Sequence, residues 1–342
     1  MDPDAIRESG RVPHGGDPDP SVLDFSANVN PRTPDGVAEA YADALDAARR
    51  YPDDGYPAFR AAAAEYVGCD PEAVVPTPGG LAAIRLVCEV RLGPGDEALV
   101  PYPSFGEYAR EVRLQGARPR FVRRDDLFEV GEAVLDRCAL AVVCTPNNPT
   151  GEAADPDALA AFADRCAAAG TTLLVDEAFL GFTDVPSLAA AERENVVVAR
   201  SLTKLFGLPG IRAGFAVARG GTRDALRTAR RTWNLGTPAA RVGAHCMRDE
   251  AFVRETRERV ASERERLFAA FEADPRFSPS PSDAPFLLCD VAGAVDDVLD
   301  AARERGVALR DARTFRGLDS HVRVAVRARE ANDRLLEVLC RD

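Results

Sequence analysis

The sequence predicts an α/β fold built on a mainly parallel sheet, and three observations carry that prediction. Between about Pro71 and Ala218, short and strongly apolar runs that end at turn residues alternate with stretches of helical periodicity. The chemically unusual residues fall just after those runs, at the carboxyl ends of the would-be strands, where open α/β sheets bind ligands. A separate α+β pattern follows Trp233. The runs are 97–101, 120–123, 140–144, 172–176, 196–199 and 214–218. Their apolar character without strict alternation suits strands covered on both faces. The helix between them from Asp155 to Ala169 has a proline near its start, as a helix N-terminus prefers.

The ends of the chain differ from this middle. Residues 1–35 form a proline- and glycine-rich arm, and residues 36–235 the large domain, whose first helix (36–50) could pack with a small domain over 236–342. Within that small domain the pattern predicts a long charged helix from Glu250 to Ala273, a Pro/Ser linker over 278–285, and strands near 286–291 and 321–326.

Composition narrows the function classes. With 342 residues and 46% apolar content the chain can bury a large core. A net charge of −12 opposes binding to nucleic acid, a polyanion. Eight cysteines without a C-x-x-C pair read as reduced thiols of a cytoplasmic protein. Three histidines and no clustered ligand spacing argue against a metal site. The first residues lack a secretory pattern, and no apolar run is long enough for a membrane span, so neither a leader nor a membrane partner is expected.

Lys204 is the only lysine among 43 basic residues. Arginine can supply ion pairs anywhere, but a guanidinium does not form a Schiff base, so a single retained amine points to covalent chemistry. Four further features fall where a pyridoxal-phosphate site would need them. Gly79 and Gly80 open a helix, which lets backbone amides and the helix dipole meet a phosphate; a plain turn would read the same way. Arg212 could supply the phosphate's counter-charge. Asp176 closes an apolar run, placed either to pair with a pyridine nitrogen or to cap the next segment. Asn148, in Cys144-Thr-Pro-Asn-Asn-Pro-Thr-Gly151, could hydrogen-bond the ring's O3′ or belong to an ordinary turn.

In this order the motifs resemble the fold-type I pyridoxal-phosphate enzymes of the aspartate aminotransferase class, over nearly the whole chain. The resemblance implies a large domain with a mainly parallel seven-stranded sheet and a smaller α+β domain. It implies Lys204 as the cofactor's covalent anchor, Asp176 at the pyridine nitrogen and Asn148 at O3′. Gly80, Leu81, Ser201 and Arg212 would surround the phosphate, and Phe105 would stack on the ring. It also implies a homodimer in which Tyr51 reaches the partner subunit's phosphate site. About 30 residues precede the matched region, so an enzyme is expected rather than a DNA-binding regulator with such an effector domain.

Within that class the chain resembles the threonine-phosphate decarboxylases of cobalamin synthesis more than the histidinol-phosphate aminotransferases, which stay as the alternative. The opening His14-Gly-Gly16 with Leu23-Asp-Phe-Ser-Ala-Asn-Val-Asn-Pro31 is similar to the decarboxylases', with His14 and Asn28 as candidate substrate contacts. Phe179 stands where aminotransferases generally have a tyrosine, though a core phenylalanine reads equally well. Arg323 and Arg327 lie an even number apart in a predicted strand, so they would share one face and hold an anion of a small phosphorylated amino acid.

Overall fold

A computed structural model describes residues 1–340; the last two positions of the expected small domain, 341 and 342, lie outside the described residues. All six apolar runs are strands of one seven-stranded sheet. Its order is Val74–Thr77, Gly214–Val217, Val196–Ser201, Thr172–Asp176, Cys138–Cys144, Glu97–Tyr102 and Arg118–Arg123. Gly214–Val217 pairs antiparallel with both its neighbours, and every other pairing is parallel. The seventh strand, Val74–Thr77, is absent from the apolar runs read off the sequence. It is four residues long and contains Pro76, which its place at the edge of the sheet tolerates.

Period-two alternation sends successive side chains of each strand into different cores. Val196 and Val198 join Leu173, Val175 and Phe215 on one face, whereas Val197 and Ala199 join Leu174, Val142 and the helix residues Ile84 and Val87 on the other. Each side chain buried in this way contributes about 1.5–3 kcal/mol. Burial on both faces leaves the strands' carboxyl ends as the sheet's accessible edge, and the functional residues emerge there.

A second sheet is wholly antiparallel, in the order Arg310–Asp311, His321–Ala325, Phe286–Val291 and Phe277–Pro279. The long helix is Glu250–Ala273, started by Asp249, whose carboxylate accepts the Phe252 amide at 2.9 Å. Leu23–Asp24 pairs in parallel with Val307–Ala308, which ties the arm to the second sheet's side of the molecule. The helix Val37–Ala47 packs on Thr237–Met247, and that helix also packs on Pro57–Val67. All eight cysteines are free thiols, and no helix among the described residues is long and apolar enough to cross a membrane.

Candidate active site

Lys204 stands in the turn that follows Val196–Ser201 and opens onto a cavity of about 320 Å³ at the carboxyl edge of the large sheet. Asp176, Asn148, Phe105, Ser201, Arg212, Gly80 and Leu81 line the same cavity, as do His14, Asn28 and Arg323. Burial lowers the Lys204 amine to a pKa of about 8, helped by Arg323 and Arg212 and opposed by Asp176. A good fraction of this amine is therefore neutral near physiological pH, as a nucleophile must be.

Asp176 ends its strand 5% exposed. Its Oδ1 accepts the Ala178 amide at 3.0 Å, the turn geometry that the sequence left open, and its Oδ2 accepts the Tyr108 hydroxyl at 2.6 Å. Burial raises its pKa, while the Tyr108 hydroxyl and the Ala178 amide pull it back down. A cationic ring nitrogen opposite would favour the ionised form further.

At the start of the helix Gly80–Arg91, Gly79 has φ +94°, and a Cβ there would lie 2.6 Å from Arg212 Nη2. A Cβ on Gly80 would meet the Ser201 Cβ at 3.0 Å. The two glycines thus let Arg212 and Ser201 close on a helix N-terminus whose first amides have no intrahelical acceptor. Among the described residues Arg212 pairs with no carboxylate; its Nη1 donates to the Pro209 carbonyl at 3.1 Å. Such a cup of amides, hydroxyl and guanidinium suits a phosphate.

Arg323, which also lines the cavity, is 5% exposed, and among the described residues no carboxylate lies within ion-pair distance of it. Its Nη1 donates to Asn148 Oδ1 at 2.5 Å, its Nη2 to the Ser26 carbonyl at 2.8 Å, and its Nε is buried without a partner. Burial, with Arg310 nearby, pushes its pKa down to about 9. Because Arg323 takes the carboxamide oxygen, Asn148 has its amide hydrogens left to offer the cavity. Arg310 lines the cavity too, donating to the Pro13 carbonyl at 2.7 Å and to Thr314 Oγ1 at 2.9 Å. The guanidiniums of Arg310 and Arg323 lie over the Phe315 ring. Asn28 Oδ1 is buried with no hydrogen-bond partner. His14 Nε2 lies 2.9 Å from Glu107 Oε1, and its ring tilts against Phe105 at 5.7 Å. Phe179 lines the cavity and packs edge-on against Phe286, so no hydroxyl is offered from that position.

Two expected residues stand elsewhere. The strand His321–Ala325 ends before Arg327, so the argument that Arg323 and Arg327 share a strand face fails, and Arg327 does not line the cavity. The chain turns there because the Arg327 amide is taken by Asn332 Oδ1 at 3.0 Å, at the approach to the helix Arg329–Leu339. Tyr51 is 76% exposed and stacks on Trp233 at 4.1 Å beside a separate groove of about 1130 Å³. Sequence reasoning missed Tyr108 and Arg310. Tyr108 had a weak signal, an aromatic three residues after Phe105 at a helix start; Arg310 had none among so many arginines.

An amine, a buried carboxylate lining the same cavity, a phosphate-type cup and an aromatic lining together fit pyridoxal phosphate. Comparison with known proteins bears on that fit. A family model described as aminotransferase class I and II matches residues 20–339. The chain is 32% identical to histidinol-phosphate aminotransferase 2 of Archaeoglobus fulgidus over 94% of this chain and 93% of that protein. It is 32% identical to the threonine-phosphate decarboxylase of Salmonella typhimurium over 98% of this chain and 94% of that one. In fold it is similar to the histidinol-phosphate aminotransferase from Sinorhizobium meliloti in complex with pyridoxal-5′-phosphate, at TM-score 0.83 and 20% identity, over 92% of this chain and 88% of that chain.

Proposed function

Because the chain belongs to the aminotransferase class I and II family, we propose that it is a pyridoxal-phosphate enzyme that decarboxylates O-phospho-L-threonine to aminopropanol phosphate, a step of cobalamin synthesis. The carrying observation is the pair of guanidiniums, Arg310 and Arg323, that line one cavity and among the described residues have no carboxylate within ion-pair distance. O-Phospho-L-threonine brings two anions, a phosphate and a carboxylate, one for each guanidinium. Phe179 supports the same reading, since the position carries no hydroxyl.

Lys204, Asp176, Asn148, Phe105, Gly80, Leu81, Ser201 and Arg212 would hold the cofactor, and His14, Asn28, Arg310 and Arg323 would hold the substrate. Bound there, pyridoxal phosphate supplies an electron sink for the pair left on Cα when one of its bonds breaks. Lys204 would anchor the cofactor, and its lowered pKa would make the freed amine a competent proton carrier. Arg310 and Arg323 would grip the substrate's phosphate and orient its carboxylate for release as CO2, and Lys204 would return a proton to Cα. Phe105, Phe179 and Phe315 line the cavity with apolar surface, which would favour a substrate-filled site over a water-filled one.

We divide the chain into an arm (1–35), a large domain (36–235) and a small domain (236–342), with the helix Thr237–Met247 bridging the last two by its packing on Pro57–Val67. The working unit is a homodimer. Tyr51, Trp233, Tyr41 and Leu45 are large side chains exposed by 43–76%, and Tyr51 with neighbouring Arg49 and Arg50 borders the wide groove.

The test is to incubate cofactor-loaded protein with O-phospho-L-threonine and no keto acid, measuring CO2 and aminopropanol phosphate. Sustained turnover that disappears in Lys204→Ala is expected. Conversion of histidinol phosphate only when 2-oxoglutarate is present, with no CO2, would replace this reading by the aminotransferase that the Archaeoglobus relative favours.

A further inference from the structure

Lys204 sits on a turn whose backbone is held by one buried side chain from the arm. Asn30 is 5% exposed, and its amide N–H donates to the Lys204 carbonyl at 3.1 Å. Its Nδ2 donates to the next carbonyl, Leu205 O, at 2.7 Å. The Lys204 carbonyl also accepts the Gly207 amide at 3.3 Å, which closes the turn. Gly207 has φ +66°, and a Cβ there would come within 2.4 Å of the Arg32 carbonyl and 2.7 Å of the Asn30 carbonyl. The glycine therefore lets the arm lie directly on the lysine turn.

The other half of Asn30 is gripped by the long helix Glu250–Ala273. Arg259 Nη2 donates to Asn30 Oδ1 at 2.6 Å, and Thr256 Oγ1 lies 3.4 Å from Asn30 Nδ2. Phe252 stacks on Phe206 of the lysine turn at 6.1 Å. Positions 252, 256 and 259 recur at helical spacing, so one face of the helix grasps the turn. Arg259 has no carboxylate within ion-pair distance among the described residues, and its Nη1 is buried without a hydrogen-bond partner. A guanidinium desolvated against a neutral amide is an expensive contact, and a neutral side chain could fill the same space more stably.

We propose that Asn30 and Arg259 are positioning residues: they fix the backbone of Lys204 and link it to the long helix, so that movement of that helix shifts the lysine amine within the cavity. The proposal rests on the reading of Lys204 as the cofactor's anchor. The link can tune the amine because Lys204 faces Asp176, Arg212 and Arg323, and its proton affinity depends on its depth among them.

Its uniqueness as the only lysine makes Lys204 directly readable. Full-length Asn30→Ala and Arg259→Gln proteins are compared with the parent in two ways. With cofactor bound, amide hydrogen exchange over Leu202–Gly207 is expected to speed up about tenfold or more in Asn30→Ala and less in Arg259→Gln, with the strand Phe286–Val291 unchanged. After removal of the cofactor, the pH dependence of acetylation on the Lys204 peptide should move up by roughly one unit, towards ordinary lysine, as the amine loosens from its buried place. Arg259→Gln keeps the measurement open if Asn30→Ala does not fold. Folded variants with parental exchange and parental labelling midpoints overturn the proposal, and so does exchange that rises evenly across the whole chain. A Lys204→Ala protein that still binds the cofactor with the parent's absorbance would instead sink the anchor reading and leave the labelling result intact.

Discussion

At the scale of single residues, burial holds Lys204, Asp176 and Arg323 away from their ordinary protonation behaviour. Asp176 is the sharpest case, because burial raises its pKa and the Tyr108 hydroxyl opposes the rise. In Tyr108→Phe the carboxylate keeps its burial and loses that donor, so its pKa rises further and it protonates at higher pH on the way down. The acid limb of the pH–kcat profile should therefore move upward and kcat should fall about tenfold with KM little changed; an unmoved limb would show that Tyr108 is only packing. Arg323 makes the opposite trade. Its buried guanidinium is stabilised by Asn148, the Ser26 carbonyl, two aromatic rings and the charge of Asp24, but among the described residues no carboxylate lies within ion-pair distance. Arg323→Met is expected to raise KM for O-phospho-L-threonine about 100-fold, the loss of a charge-assisted contact, while thermal stability holds or improves by about 1 kcal/mol. A fall in Tm with unchanged KM would contradict both halves of that argument.

At the scale of elements, the strand ends and helix starts of the large sheet do the positioning. Val196–Ser201 delivers the lysine turn, Thr172–Asp176 delivers the carboxylate, and Gly80–Arg91 presents its N-terminus between them. Gly79→Ala puts a side chain at φ +94° and into Arg212, so affinity for pyridoxal phosphate should drop about tenfold or more in a fluorescence titration of cofactor-free protein. An unchanged Kd would remove Arg212 from the cup. Behind the site, Glu177 (1% exposed) and Arg200 (6% exposed) form a buried ion pair at 2.9 Å, and Glu177 also accepts from Ser187 Oγ and the Leu188 amide. Arg200→Met leaves that carboxylate uncompensated and should cost about 3–5 kcal/mol in denaturant unfolding; a loss under 1 kcal/mol would mean that the two hydrogen bonds from Ser187 and Leu188 suffice.

At the scale of the whole molecule, the exposed Tyr51–Trp233 stack and the groove beside it suit a face covered by a second copy. If the proposed homodimer forms, co-expression of Tyr51→Ala with Lys204→Ala would give mixed dimers with one site that combines an intact lysine and an intact tyrosine. Activity recovered above either parent variant is expected, and none would mean that Tyr51 serves no partner. The sequence alone determined the alternation of apolar runs and helices, hence the α/β sheet, because burial on both faces and helical periodicity are written locally. It also determined the residues whose chemistry has no substitute: the single lysine, the paired glycines and the aspartate closing an apolar run. Only tertiary structure decided which of many equivalent arginines face the cavity, bringing in Arg310 and leaving out Arg327, since that depends on where a strand ends and what its last amide meets. It likewise revealed Tyr108 behind Asp176 and Asn30 beneath the lysine turn, where its bond to the Leu205 carbonyl, like the Tyr108–Asp176 bond, spans a separation (175 and 68 residues) for which no local pattern can stand. Side-chain identity limits the chemistry that is possible, but three-dimensional packing sets which groups lose water together, and their proton affinities and partners follow from that.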